Sequence, residues 1–200
     1  MTTVARNILI ACVAVFLLQL AMGPGIEDLF ALQPLDVPSY RPGFQIWQLV
    51  TYGFLHDPRN YFHIIFNMFA LYMFGSEIER LVGSKRFAVY YLVCVVTAAL
   101  TQLAVQHLEG DIGRPTVGAS GGIFGLLLAY GLAFPHRKLM LIFPPIPMPA
   151  WLFVTLYGLV ELYLGVSGRN TGVAHFAHLG GMIGGFVLIA YWRYQRLSRR

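Results

Sequence analysis

Charge is what this chain has least of. Asp, Glu, Lys and Arg make up only 12% of its 200 residues, about half the share of an ordinary soluble domain. So few charges cannot cover a globule of this size in water, which excludes a water-soluble domain. Cysteine is almost missing too, and two residues cannot build a disulfide scaffold. Lysine is confined to Lys85 and Lys138. What the chain has instead is apolar surface: 57% of residues are hydrophobic and the mean hydropathy is +0.63. A membrane helix takes roughly 20 apolar residues, so six use roughly 120, close to the apolar total, and leave no room for a second domain. The expected fold is all-α: a single polytopic membrane domain over 1–200, with six transmembrane helices and an interfacial first loop.

Six apolar stretches lie near 7–23, 61–79, 86–106, 117–134, 149–166 and 173–192. The first has signal-peptide features, Arg6 ahead of it and Ala21-Met22-Gly23 at its end. Pro24 and the long apolar core favour an uncleaved anchor. The 24–60 connection carries Pro24, Pro34, Pro38 and Pro42 and ends in a mixed segment, 44–55, too short to span. Trp47, Tyr52 and Phe54 suit the headgroup layer, so this segment is expected to lie in the interface.

The net charge of +5 suggests nucleic acid only until the basic residues are placed. Grouped by loop parity, ten fall on one side: Arg6, Arg80, Lys85, Arg86, Arg137, Lys138 and four arginines after Tyr191. Four fall on the other: Arg41, Arg59, Arg114 and Arg169. The positive-inside rule puts both termini in the cytoplasm, and the expected setting is a bacterial inner membrane. No nucleic acid is expected as a partner.

Polar groups inside apolar helices are costly there and default to functional candidates. They are His63 and Asn67 in the second stretch, Ser120 in the fourth, Glu161 in the fifth, and His175 and His178 in the sixth. The second, fourth and sixth stretches run in the same direction. His63, Ser120, His175 and His178 therefore share one depth, within about 10 Å of the outer surface at 1.5 Å per residue. His63 and Asn67 stand at i and i+4 on one helix face and both donate hydrogen bonds, as an oxyanion pocket requires. Ser120 sits in Gly118-Ala119-Ser120-Gly121-Gly122, beside the free N–H groups of a helix start. Phe124, one turn on, can stack on an imidazole. Gly181 and Gly185 form a small-residue face expected to pack on Gly121 and Gly125 and to bring a histidine to the serine.

Each of these features has a plainer reading. Glycine-rich stretches usually serve packing, a lone serine bonds its own helix, and a lone asparagine joins helices. Glu161 is placed near the inner end of its helix, far from Ser120 in depth, with no basic partner and a structural role. His56, His107 and His136 are expected to face water. A serine with a histidine base and oxyanion donors is an acyl-transfer kit, here a dyad without an acid. A serine–lysine pair is excluded, because Lys85 and Lys138 both lie on the cytoplasmic side. Zinc on His63, His175 and His178 leaves the Gly-Ala-Ser-Gly segment without a purpose, and no metal or cofactor is expected.

These residues carry a resemblance. Trp47-Gln48-Leu49 with Phe54-Leu55-His56, His63-x-x-x-Asn67, Gly75 through Glu79 with Gly83, Gly118-Ala119-Ser120-Gly121 and Ala177-His178-Leu179-Gly180-Gly181 together resemble the rhomboid intramembrane serine proteases of compact six-helix form. The resemblance implies Ser120 as nucleophile, His178 as base and acid, and His63, Asn67 and the Ser120 N–H as oxyanion donors. It implies Gly118, Gly121, Phe124 and Gly181 as supports, and single-span membrane proteins, entering sideways from the bilayer, as substrates. Phe124 stands where some members carry a tyrosine. Two rival classes are an inactive rhomboid-like helix-binding protein, which would be expected to lack Ser120 or His178, and a small transporter, which would be expected to carry charges through the midplane.

Overall fold

The computed structural model describes residues 1–38, 42–110, 115–140, 145–167 and 173–197. Arg41, Arg114, Arg169, Arg199 and Arg200, which entered the charge reading, lie outside the described residues. The chain runs through α1 (Thr3–Met22), α2 (Gly25–Phe30), α3 (Gln48–Thr51) and a 3-10 turn at Tyr52–Phe54. There follow α4 (Tyr61–Ala70), a π segment (Leu71–Gly75), α5 (Ser76–Val82), α6 (Ser84–Glu109) and α7 (Ser120–Ala133). A hairpin of β1 (Lys138–Met140) and β2 (Pro147–Pro149) leads to α8 (Ala150–Val166) and α9 (His175–Leu197). This short antiparallel pair, Leu139 opposite Met148, is the one named sheet among the described residues. By length and composition α1, α6 and α9 can cross a membrane, while α7 and α8 are apolar but shorter. The run 61–82 is helical throughout, about 30 Å at 1.5 Å per residue.

α7 is apolar all round because it is enclosed: Gly121 through Leu127 are all buried, as expected for a helix with no polar face. α6 and α9 enclose it through small residues, since apolar helices in lipid gain most from close backbone packing. A Cβ on Gly181 of α9 would collide with the Gly121 carbonyl of α7. A Cβ on Gly125 would strike the Cys94 side chain of α6 and lie 3.1 Å from the Gly181 carbonyl. The expected Gly121–Gly181 face is therefore present. Gly185 differs from expectation: it faces Tyr90 and Cys94 of α6, because α9 crosses α7 and is met by α6 one turn later.

At the opposite end of the bundle from the α7 N-terminus, Glu79 is buried and ties α1 to α5. Its carboxylate accepts the Val4 and Ala5 N–H groups at 3.0 and 2.8 Å and the Ser84 hydroxyl at 2.6 Å. An anion on the free N–H groups of a helix start satisfies them and meets the positive end of the helix dipole.

The first loop is stitched by buried amides. Gln48 accepts the Gln33 and Gln45 N–H groups and donates to the Leu29 carbonyl. Leu32 pairs with Thr116 through two backbone bonds of 3.0 and 2.9 Å, which docks this loop on the residues leading into α7. Two expectations are corrected here. Tyr52 is not a headgroup residue: it is 1% exposed and its hydroxyl donates to the Val95 carbonyl at 2.8 Å. His56 does not face water: it is fully buried, its backbone clamped at both ends by the Gln19 amide at 2.9 and 3.0 Å.

Candidate active site

Ser120 is the first residue of α7 and is half-buried. The chain enters it through Gly118, whose φ of +132° is open to glycine and strained for other residues. The Gly118 N–H bonds the Tyr52 carbonyl at 3.0 Å. A Cβ on Gly118 would stand 2.9 Å from His63 Nε2 and 3.6 Å from Ser120 Oγ, so the missing side chain is what lets imidazole and hydroxyl approach one point. From the other side, the Gly181–Gly121 contact brings in α9. His178 Nε2 lies 2.7 Å from Ser120 Oγ. Phe124 stacks on the His178 ring at a centroid distance of 4.1 Å and an angle of 7°, which holds the imidazole plane.

His63 Nδ1 accepts the Asp57 N–H at 3.2 Å. A neutral ring so engaged carries its proton on Nε2, the nitrogen that faces Gly118 and Ser120. The Asn67 side chain is buried, and its amide donates back to the His63 carbonyl at 2.7 Å, holding it on the turn that carries His63. His56 packs behind His63, ring centroids 5.2 Å apart. Burial, with His63 adding to it, pushes the His56 imidazole down to about 4.

Glu161 is where the structure departs most from expectation. It is 7% exposed and sits with His175 and His178, each equally buried. Its Oε2 accepts from His175 Nδ1 at 2.6 Å and lies 2.9 Å from His178 Nδ1. The second contact falls off the ring N–H axis, so it is a close polar contact rather than a directed hydrogen bond. The misplacement was one of direction. α8 runs opposite to α7, so its C-terminal third, which holds Glu161, lies level with the N-terminus of α7. That direction is itself set by the order of the apolar stretches, as it is for the helices that carry the histidines. The described residues hold one group of three candidate metal ligands, Glu161, His175 and His178; His63 is not in it. Its 2.6 and 2.9 Å spacings are those of polar atoms in direct contact. Ligands about 2.0–2.2 Å from one tetrahedral zinc would stand farther apart.

A membrane helix bundle with this serine and histidine arrangement defines a class that comparison identifies. The Rhomboid domain family matches residues 43–195, and the chain belongs to the rhomboid family. It is 31% identical over 134 residues to "Rhomboid protein 1, mitochondrial" of Saccharomyces cerevisiae, covering 66% of this chain and 38% of that protein. It is 31% identical over 146 residues to "Rhomboid protease GluP" of Bacillus subtilis, covering 72% of this chain and 25% of that protein. It is 26% identical over 186 residues to "Rhomboid protease GlpG" of Serratia proteamaculans, covering 93% of this chain and 61% of that protein. The chain thus spans between a quarter and three-fifths of these relatives' lengths. Family and apolar helices together make it an integral membrane protein.

Proposed function

We propose that this protein is an intramembrane serine protease that hydrolyses peptide bonds in single-span membrane proteins. The observation that carries the reading is the 2.7 Å approach of Ser120 Oγ to His178 Nε2 in a chain of the rhomboid family. Ser120 Oγ attacks the scissile carbonyl while His178 Nε2 takes its proton. The oxyanion that forms is met by the His63 Nε2–H, the Asn67 amide and the Ser120 backbone N–H. His178 then protonates the departing amine, and water, activated by the same imidazole, releases the acyl group.

The site lies near the outer membrane surface. Loop parity of the basic residues supports six spans with both termini in the cytoplasm, in a bacterial inner membrane. A spanning helix hides its carbonyls in internal hydrogen bonds, so substrates carry helix-weakening residues and small side chains near the cut.

A fluorophosphonate tests the reading. It should label Ser120 covalently, with labelling abolished by Ser120→Ala and by His178→Ala. His63→Ala or Asn67→Ala should cost about 10²–10³ in kcat, as loss of one oxyanion donor does. Labelling that survives Ser120→Ala would remove Ser120 as the nucleophile.

A further inference from the structure

Glu161 is the one carboxylate within the apolar run of α8, and the chemistry above leaves it unused. A buried acid in a membrane helix is costly unless its partners repay it. Its neighbours on that helix are arranged for close approach. Gly158 and Gly165, three before and four after Glu161, share its face. A Cβ on Gly165 would meet the Phe176 ring of α9 at 3.1 Å, and one on Gly158 the Met182 side chain at 3.4 Å. The glycines therefore let α8 approach α9 on the face that carries the carboxylate.

We propose that Glu161 is a positioning residue for His178 and completes a Ser120–His178–Glu161 relay, with His175 holding the carboxylate in place. The inference rests on the Ser120–His178 reading above. A neutral imidazole has two tautomers, and only the one protonated on Nδ1 leaves Nε2 free to take the serine proton. Glu161 Oε2, 2.9 Å from His178 Nδ1, favours that tautomer. In the attack the proton passes from Ser120 Oγ to His178 Nε2. The Nδ1 proton stays on Nδ1, and Glu161 accepts no proton but faces the new imidazolium charge. His175, bonded to the same oxygen at 2.6 Å, keeps the carboxylate from turning away. Phe124 fixes the ring plane from α7, so three helices orient one imidazole. The other titratable groups around this pair are His63 on α4, near His178, and Tyr157 on α8, near Glu161.

The test is steady-state cleavage of a single-span substrate by the detergent-purified full chain, with kcat and KM separated and kcat/KM followed across pH. Glu161→Gln keeps shape and removes charge. It should lower kcat by about 10²-fold or more, toward the roughly 10⁴ that loss of a triad acid costs. KM should stay within about threefold, and the acid limb of kcat/KM should move. Wild-type kcat and an unchanged acid limb in Glu161→Gln would overturn the proposal. If Glu161→Gln does not fold, His175→Asn decides: about a tenfold fall in kcat at constant KM supports the relay, and wild-type kcat overturns it. A dead Ser120→Ala beside a fully active Glu161→Gln sinks the relay alone, whereas an active Ser120→Ala sinks the protease reading itself.

Discussion

His56 shows what burial does to one residue. Its ring is enclosed beside His63, and neither ring nitrogen makes a well-formed hydrogen bond among the described residues. The folded protein therefore holds it neutral, pushed from the ordinary 6.5 down to about 4. A base with its folded value depressed binds fewer protons folded than unfolded. Its contribution is whole above pH 6.5 and is lost as pH falls toward 4, by about 3 kcal/mol for a shift of this size. The thermal midpoint in detergent should fall over that window, and His56→Phe should flatten the slope. Equal slopes in parent and variant would place the sensitivity elsewhere. Sequence reasoning put His56 in water because it sits in a loop, and no local pattern marks a loop that docks on the core. Glu161 is legible from helix direction, because α8 runs antiparallel to α7 and its last third meets the α7 start. Ser120, His178 and His63 stand out in the sequence as polar groups in apolar helices at one depth, and Phe124 by its place one turn after Ser120; the fold brings Ser120, His178 and Phe124 into contact.

At the scale of elements, the α7–α9 crossing sets the serine–histidine distance. Gly181 has no room for a side chain, since backbone of α7 occupies that place. Gly181→Val should therefore push α9 outward, cost about 1–3 kcal/mol as overpacking does, and abolish cleavage together with fluorophosphonate labelling. A Gly181→Val protein with parental thermal midpoint and activity would show that the crossing does not set the site. The helices were legible from apolar runs, and the observed bounds fall within a few residues of the expected ones for most stretches. The π segment at Leu71–Gly75 and the β1–β2 hairpin were not, because each depends on tertiary contacts that leave no periodic trace. The same holds for Gly185, whose partner helix is chosen by the crossing angle and not by its own spacing.

For the whole molecule, the reading sets a direction in the membrane and an activity. On the six-span topology proposed above, which groups ten basic residues against four, a reporter fused after Arg200 should read as cytoplasmic and a tag in the 24–60 connection as external. The reverse would put the serine at the cytoplasmic face. The activity itself is tested most directly by reconstituting the full chain in lipid vesicles with a single-span substrate whose helix is weakened near its outer end. The parent should release two fragments cut at or just below the membrane surface, and Ser120→Ala, folded to the same thermal midpoint, should release none. Fragments of the same size from Ser120→Ala would contradict the account.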